Sequence, residues 1–281
     1  MSKIIDQDYL LNEQYRDATH LDARVQLHRR FSTNPYGWNR WYFDQLNLPP
    51  EAMSRASHGW PARRRRILEL GCGPGHLWRD NLDRIPATWE VTLSDFSAGM
   101  VQQAQAKLGH LQNFRFEIVD VQSIPFEAGH FDAVIANHML YHVPSRSLAL
   151  SEMRRVLKTT GFAYLATSGN AHLHELHDLM QRFDPQTDFG WGQHTHEVFS
   201  LDSSGPEIAQ HFARVAILRY EDSLIVTEAG PLVAYILSMT TIAGLAEARR
   251  AELTRFIESE LAAHGSIFIT KDSGLFMAHT R

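Results

Sequence analysis

Hydrophobic positions divide the chain into an aromatic-rich N-terminal part and a longer part in which strands and helices alternate. Short apolar runs that predict buried strands lie at 67–70, 89–95, 114–120, 131–136 and 162–167. Between these runs, apolar residues recur at helical spacing, as Met100, Val101 and Ala104 do before Lys107. Such alternation is typical of a parallel sheet that is covered by helices on both faces.

The last part of the chain follows a less regular pattern. A helix that starts at Ser145 or Ser147 is predicted to end at Gly161, just before the fifth strand. Residues 170–212 predict a helix and an irregular insertion. Further strands are predicted at 215–220, 223–227, 266–270 and 275–279, and helices at 231–240 and 245–263.

Residues 1–60 precede the first strand and are rich in aromatic side chains. Two helices are predicted there, one through about Arg30 and one from Trp38 to Leu46, followed by a linker at 49–62. A segment this short cannot bury its rings alone, so we expect it to pack over the core, as a lid on a ligand cleft or as plain packing. The predicted organisation is therefore an N-terminal helical lid and substrate cap at 1–60, then one domain at 61–281 with a substrate-side insertion at 170–212.

Composition and charge narrow the class of protein. The 281 residues are 44% hydrophobic and 21% charged, which is enough for a sizeable core. A formal net charge of -5 argues against a broad nucleic-acid interface. A single cysteine, Cys72, excludes an intramolecular disulfide and fits a reducing compartment. Because the sequence has no signal-type leader and no run of 18 apolar residues, it predicts a soluble cytoplasmic protein.

The first strand runs into a glycine-rich turn at 69–75 of the form Glu-x-Gly-x-Gly-x-Gly. Glycines at alternate positions permit positive φ angles and let backbone approach a ligand closely. Apolar residues from Leu77 to Ile85 predict a helix that starts at this turn, and a strand, glycine turn and helix N-terminus together predict a nucleotide-type site. A dinucleotide fingerprint would need glycine where this chain has His76, so a dinucleotide oxidoreductase is disfavoured.

The second strand ends in Asp95, at the position where a carboxylate can fix an adenosine. Such a carboxylate can accept two hydrogen bonds from a ribose diol. Phe96 and Met100 are candidates to line the adenosine pocket, with a place in the core as the alternative for each.

Further motifs follow in a fixed order: Leu-Glu-Leu-Gly-Cys-Gly-x-Gly, Asp-x-x-x-Ile-Pro-Phe, Phe-Asp-x-Val, Leu-Tyr-His-Val and Arg-Arg-Val-Leu-Lys-x-x-Gly. Over about 66–168 they resemble the class I S-adenosylmethionine (SAM) dependent methyltransferases, in particular small-molecule enzymes related to the quinone-biosynthesis C-methyltransferases. The resemblance implies a Rossmann-like, doubly wound α/β fold with a seven-stranded, mostly parallel sheet. Its last strand would insert antiparallel between the fifth and sixth. SAM would be the cofactor and S-adenosylhomocysteine (SAH) the product.

The resemblance also implies which residues hold the cofactor. The turn would face the methionyl and ribose parts of SAM, and the residues at Asp120 and Val121 would flank the adenine, with a helix cap as the alternative for Asp120. Cys72 can be a nucleophile or a small residue that fills the turn. Arg24 can reach over the cofactor and pair with its carboxylate. The predicted cofactor-binding set is Glu69, Gly71, Cys72, Gly73, Gly75, Asp95, Phe96, Met100, Asp120, Val121, Asn137, Tyr15 and Arg24.

The segment after the fourth strand supplies the catalytic candidates. His138 and His142 lie where a base would have to act, and an unperturbed imidazole can accept a proton at neutral pH. Tyr141 or Asn137 can orient an acceptor, while a purely structural role is the alternative for His142. No metal is expected, since the remaining histidines form no compact ligand motif: His172, His174, His177, His194 and His196.

The sequence therefore predicts methyl transfer to an oxygen, nitrogen or carbon of a small molecule, such as a secondary metabolite or a quinone-like compound. A SAM-binding fold that only binds or steers a substrate stays open. A nucleic-acid methyltransferase is disfavoured, since 137–140 reads Asn-His-Met-Leu where base-amine methylating enzymes carry Asn/Asp-Pro-Pro-aromatic. The expected partner is a small molecule, with no nucleic acid and no membrane span. Residues 1–60 and 170–212 should determine which acceptor is bound, and Phe189 and Trp191 in the second segment can line its pocket.

Overall fold

The computed structural model describes residues 5–16, 19–46, 48, 64–186, 199–239 and 245–281. The N-terminal part contains α1 (Gln7–Tyr9), which continues as a π-helical turn (Leu10–Gln14), then α2 (Thr19–Phe31) and α3 (Trp38–Gln45). The predicted linker at 49–62 lies outside the described residues, as do Phe189, Trp191, His194 and His196.

A seven-stranded sheet forms the centre of the molecule. Its strands are β1 (Arg65–Leu70), β2 (Trp89–Asp95), β3 (Phe114–Ile118), β4 (Phe131–Asn137), β5 (Leu157–Ser168), β6 (Arg214–Val226) and β7 (Ile267–His279). The spatial order is β3-β2-β1-β4-β5-β7-β6. The first five strands pair in parallel, and β7 is antiparallel to both of its neighbours. The predicted sheet, with an antiparallel last strand between the fifth and sixth, is confirmed.

Helices cover both faces of this sheet. They are α4 (His76–Arg79), α5 (Ala98–Leu108), α6 (Arg146–Val156), α7 (His174–Phe183), α8 (Gly205–Ala209), α9 (Ala229–Leu237) and α10 (Glu247–His264). Alternate residues of β1 face opposite layers: Leu68 packs in the layer that contains Met153 of α6, whereas Ile67 packs in the layer that contains Leu108 of α5. Because parallel strands end at one edge of a sheet, the segments after β1, β2, β3 and β4 meet at that edge.

Two strand pairs differ from the sequence prediction. The structure has one long β6 and one long β7 where two short strands each were predicted. The predicted breaks fell at polar residues, but Asp222 and Lys271 lie opposite each other in the register and form a buried ion pair. Pairing across the strands satisfies both side chains, so the antiparallel pairing of β6 and β7 continues through them.

Two helix boundaries also differ. The helix after the glycine turn ends at Arg79. Buried Asn81 leaves helical geometry, and its side-chain amide donates to the carbonyl of Leu77. Leu82, which was predicted to lie on the apolar face of this helix, is exposed. Helix α6 ends at Val156 and the chain becomes extended at once, so Gly161 lies inside β5 rather than at a helix end.

The N-terminal part packs directly on the sheet and on the start of α5. The hydroxyl of fully buried Tyr42 donates to the carbonyl of Tyr164 in β5 at 2.9 Å. Ser97, the N-cap of α5, donates its hydroxyl to the carbonyl of Tyr15 at 2.9 Å. That this part works as a lid stays a prediction. Among the described helices, none has the length and apolar character that crossing a membrane requires.

Candidate active site

The glycine turn between β1 and α4 is a tightly packed loop in which positions 71, 73 and 75 all have positive φ. A Cβ at Gly71 would lie 2.8 Å from side-chain atoms of Met139, and one at Gly75 would lie 2.7 Å from Leu108. At Gly73 the nearest atom to such a Cβ would be 3.4 Å away, on Leu21. Gly71 and Gly75 therefore let the turn close against its neighbours, and Gly73 keeps its backbone open to a ligand.

Two carboxyl groups flank the turn. Glu69 is 2% exposed, and its Oε2 accepts a hydrogen bond from Trp78 Nε1 at 2.5 Å. Burial, reinforced by the charge of Asp95, raises the pKa of Glu69 to about 8. Asp95 accepts hydrogen bonds from the backbone N–H groups of Gly73 and Ser97, both at 2.9 Å, and burial raises its pKa. Each Asp95 oxygen accepts one of these bonds and keeps capacity for a ligand.

The thiol of Cys72 is a poor nucleophile in this position. Burial raises the pKa of Cys72 well above its usual value, and Sγ donates to the carbonyl of Gly73 at 3.3 Å. Since the thiolate is the reactive form, the geometry supports the interpretation that Cys72 fills the turn.

The segments after β2 and β3 complete this side of the site. Asp120 Oδ1 accepts a hydrogen bond from the backbone N–H of Gln122 at 2.8 Å and so closes a turn. No helix begins between 119 and 130, a stretch described in full, so the helix-cap alternative for Asp120 is wrong. Val121 and Met100 are buried, whereas Phe96 is 37% exposed. All four residues line the same cavity as Asp95.

The segment after β4 meets the N-terminal part. Asn137 Oδ1 accepts a hydrogen bond from Trp38 Nε1 at 3.3 Å, and the ring centroids of Trp38 and His138 lie 5.2 Å apart. His138 has a φ of 54°, which is uncommon for a residue with a Cβ. His142 Nε2 lies 2.8 Å from the hydroxyl of Tyr15. Tyr141 stands beside them, and burial raises its pKa, so it is a neutral phenol at neutral pH.

Arg24 of α2 also reaches the site. Its Nη2 donates to the carbonyl of Ser238 at 2.7 Å and its Nε to the Ser238 hydroxyl at 3.2 Å. Tyr15 and Tyr235 lie close to the guanidinium. Across the described part of the chain no carboxylate forms an ion pair with Arg24, so its charge is available to an anionic group of a ligand.

These groups line one cavity of about 1310 Å³. Of the predicted site residues only Gly75 does not border it. The cavity brings together Glu69, Gly71, Cys72, Gly73, Asp95, Phe96, Met100, Asp120, Val121, Asn137, Tyr15, Arg24, His138, Tyr141 and His142. Their individual roles stay predictions.

An ion pair at the other end of the cavity was not predicted from the sequence. Lys271 borders the cavity and pairs with Asp222, with side-chain exposures of 8% and 0%. Asp222 also accepts hydrogen bonds from the Ser32 hydroxyl at 2.5 Å and the backbone N–H of Asn34 at 3.0 Å. The sequence contains one sign of this pair: an acid and a base lie in the gaps between the predicted strands, at 222 and 271.

Carboxyl groups and cations are unevenly distributed on the cavity wall. The carboxyl groups on the wall belong to β1 or to the segments that end or follow β1, β2 and β3: Glu69, Asp80, Asp95 and Asp120. Arg79 of α4, which pairs with Asp80, borders the cavity on this side as well. Lys271, Arg24, His28 and His138 line the side formed by β4, β7 and α2, where no carboxylate of a described residue borders the cavity. This second side suits an anionic ligand.

Three histidines near α7 border the cavity as well. His174 Nδ1 lies 3.0 Å from the carbonyl of Ala171 and Nε2 lies 3.2 Å from Glu175, while His172 Nδ1 is 3.5 Å from the Ser273 hydroxyl. Within residues whose placement is described, no three His, Cys, Asp or Glu side chains are arranged to hold a metal ion.

Comparison with known proteins matches the central part of the chain to a family. Residues 67–161 match the family model described as "Methyltransferase domain". Malonyl-[acyl-carrier protein] O-methyltransferase from Legionella pneumophila is 30% identical over 149 residues, which are 53% of this chain and 50% of that protein. Demethylmenaquinone methyltransferase from Staphylococcus aureus is 36% identical over 97 residues, 34% of this chain and 40% of that protein. The chain thus spans half or less of these relatives.

A solved structure shows the same fold over nearly the whole chain. Phosphoethanolamine N-methyltransferase 2 from Haemonchus contortus, in complex with SAM, superimposes with a TM-score of 0.56 at 18% identity, covering 98% of this chain and 59% of that one. The family-model match at 67–161 begins in β1, which leads into the glycine turn, and ends in β5. It therefore contains the turn, Asp95, Asp120 and the segment after β4. Residues 67–161 of this chain therefore form a methyltransferase domain of the class I SAM-dependent type.

Proposed function

We propose that this chain is an enzyme that transfers a methyl group from SAM to a small molecule. One observation carries the proposal: a single cavity runs from the carboxyl ends of β1, β2 and β3 to His28, His138 and Lys271. A site for one small ligand measures roughly 300–1,000 Å³. A cavity of about 1310 Å³ therefore has room for a cofactor and an acceptor side by side.

The groups around the glycine turn fit SAM better than a phosphate-bearing cofactor. SAM has a positively charged sulfur and no phosphate. Asp95 would repel a pyrophosphate placed at the turn, whereas it favours a cation. The unused acceptor capacity of Asp95 matches a ribose diol, which offers two hydroxyl donors.

We assign the cofactor contacts from this fit. Asp95 would hold the ribose, and Asp120 with Val121 would border the adenine. Arg24, whose charge is not paired within the described residues, would bind the carboxylate of the methionyl part. Glu69, which its raised pKa keeps mostly protonated at neutral pH in the ligand-free protein, would lie behind the turn as a hydrogen-bonding group.

The chain's own task in catalysis is alignment and exclusion of water, because bound SAM supplies a methyl group that is already activated. The N-terminal part contacts the segment after β4 at two points, through Tyr15 on His142 and through Trp38 on Asn137. These contacts would shield the reacting atoms from solvent. His138 and Tyr141 would border the acceptor.

Calorimetric titration with SAM tests the assignment. Asp95→Ala removes two hydrogen bonds to a charged acceptor, each contributing about 1.5–3 kcal/mol, so the affinity should fall roughly a hundredfold or more. Asp178→Ala, on the exposed face of α7, is the matched control and should bind SAM as the wild type does. Asp95→Asn, which keeps the shape of the side chain, guards against a folding defect.

Unchanged SAM affinity in Asp95→Ala would overturn the assignment. Release of SAH together with a product that is about 14 mass units heavier would separate catalysis from the alternative of a SAM-binding protein that only steers a substrate.

A further inference from the structure

We propose that the methyl acceptor is an oxygen acid that is ionised at neutral pH, such as a carboxylic acid, and that its oxygen binds at His28, His138 and Lys271. These three residues form what we call the acceptor-end cluster. The inference rests on the proposed function and specifies the class of acceptor for the same cavity.

Two imidazoles in this cluster lack partners. His28 and His138 both border the cavity, and neither ring makes a hydrogen bond within the described residues. The Nδ1 atom of His28 is buried and has no hydrogen-bond partner among the described residues, so the ring keeps unused hydrogen-bonding capacity. The edge of the His28 ring packs against Tyr235 with centroids 5.7 Å apart, which fixes the ring. A bound acceptor would supply the missing hydrogen bonds.

At the acceptor-end cluster, the charged group that faces the cavity is a cation. Lys271 borders the cavity, whereas its partner Asp222 does not border it; Asp222 also accepts hydrogen bonds from the Ser32 hydroxyl and the backbone N–H of Asn34. The ion pair therefore presents its positive end to a ligand. An ammonium or other cationic acceptor would be repelled here, and an anionic oxygen would be attracted.

The same surroundings keep both imidazoles uncharged. Burial, together with Lys271, lowers the pKa of His28 to about 3 and the pKa of His138 to about 4. Asp222 opposes this shift at His28, while His138 and Arg24 add to it. Neutral imidazoles with such low basicity can donate an N–H to an oxygen, but they are weak general bases at neutral pH. An acceptor that binds them should therefore arrive already deprotonated.

The transfer then balances without a base. A lone pair of the acceptor oxygen forms the new bond to the methyl carbon, while the bond between methyl and sulfur breaks and its electron pair stays on sulfur. The negative charge of the oxygen and the positive charge of the sulfur cancel, and no proton is released. With a carboxylic acid the product is a methyl ester.

Binding of matched probes to the SAH-loaded protein tests the inference. Hexanoate and benzoate are the ionised probes, hexanamide and benzamide are their neutral counterparts, and hexylammonium is the cation. We expect the carboxylates to bind at least tenfold more tightly than the amides and the cation to bind least. His28→Phe, which keeps a ring but removes both nitrogens, should lower carboxylate affinity about tenfold, while His264→Phe at the exposed end of α10 should not.

His138→Asn is the second variant, because asparagine tolerates the left-handed backbone at this position. It should weaken carboxylate binding and leave SAM binding intact. Equal binding of amides and carboxylates, preferred binding of hexylammonium, or full carboxylate affinity in His28→Phe would overturn the inference. Titration of the same samples with SAM tests the proposed function separately. That function predicts SAM binding whatever the acceptor, so a protein that binds SAM but shows one of these outcomes would overturn only the acceptor class.

Discussion

At the residue scale, Glu69 is a strongly perturbed group on the cofactor side. It is buried behind the glycine turn, hydrogen-bonded to Trp78, and burial raises its pKa to about 8. Its motif position could be predicted from the sequence, since the acid precedes the first glycine by two residues. Its protonation could not, because that depends on Trp78 and on Asp95, which the fold brings from a neighbouring strand.

A pH dependence of stability follows. The pKa of Glu69 is higher in the folded protein than in the unfolded chain, so the folded state binds the proton more tightly. Its contribution is fully present below pH 4.5 and is lost as the pH rises towards 8, by roughly 1.4 kcal/mol for each unit of pKa difference. Urea unfolding of the ligand-free protein at pH 5, 6.5 and 8 should show wild-type stability falling relative to Glu69→Gln.

The comparison with Glu69→Gln matters because other groups titrate in this range. His28 and His138 have depressed pKa values, so their effect on the free energy of unfolding has the opposite sign. Their contribution to stability is lost as the pH falls below 6.5. They are present in both proteins, so they cancel in the difference. A stability difference that stays constant between pH 5 and 8 would contradict a raised pKa for Glu69.

At the scale of elements, the antiparallel β6–β7 pair shows where periodicity gave the wrong boundaries. An apolar alternation interrupted by Asp222 or Lys271 has the appearance of two strands, since an isolated charge is costly in a buried strand. The register places the two charges opposite each other, and a paired charge is tolerated. Strand pairing joins residues about 50 positions apart, and no local pattern contains that information.

Breaking this pair should cost far more than breaking a surface pair. Asp222→Ala would leave Lys271 buried without its counter-ion, and the free energy of unfolding should fall by about 3–5 kcal/mol. Glu252→Ala, which removes one partner of the exposed pair with Arg249, should change it by less than about 1 kcal/mol. Denaturant titration of both variants measures the two costs.

A double variant supplies the internal check on that prediction. Asp222→Leu combined with Lys271→Met removes both charges and should recover much of the stability lost in Asp222→Ala. Equal, small losses in Asp222→Ala and Glu252→Ala would show that the β6–β7 strand pair does not depend on the ion pair.

At the scale of the whole molecule, the two ends of the cavity differ in how far they could be predicted. The cofactor end is built from the ends of consecutive strands between 67 and 137, and nearly all of its residues could be predicted from the motifs and their order. The acceptor end combines α2, the turn after β4 and the middle of β7, which are far apart in the chain. Of this end the sequence indicated His138 and the N-terminal part, but not Lys271, whose place depends on β7 inserting between β5 and β6.

The central claim is that the carboxyl edge of this sheet binds SAM as a methyl donor beside a separate acceptor site. A crystal structure of the protein with SAH tests it most directly. We expect SAH to lie over the glycine turn, with ribose hydroxyls within about 3 Å of the Asp95 carboxylate, and with open cavity remaining next to His28, His138 and Lys271. SAH bound away from Asp95, or filling the acceptor end itself, would contradict the account.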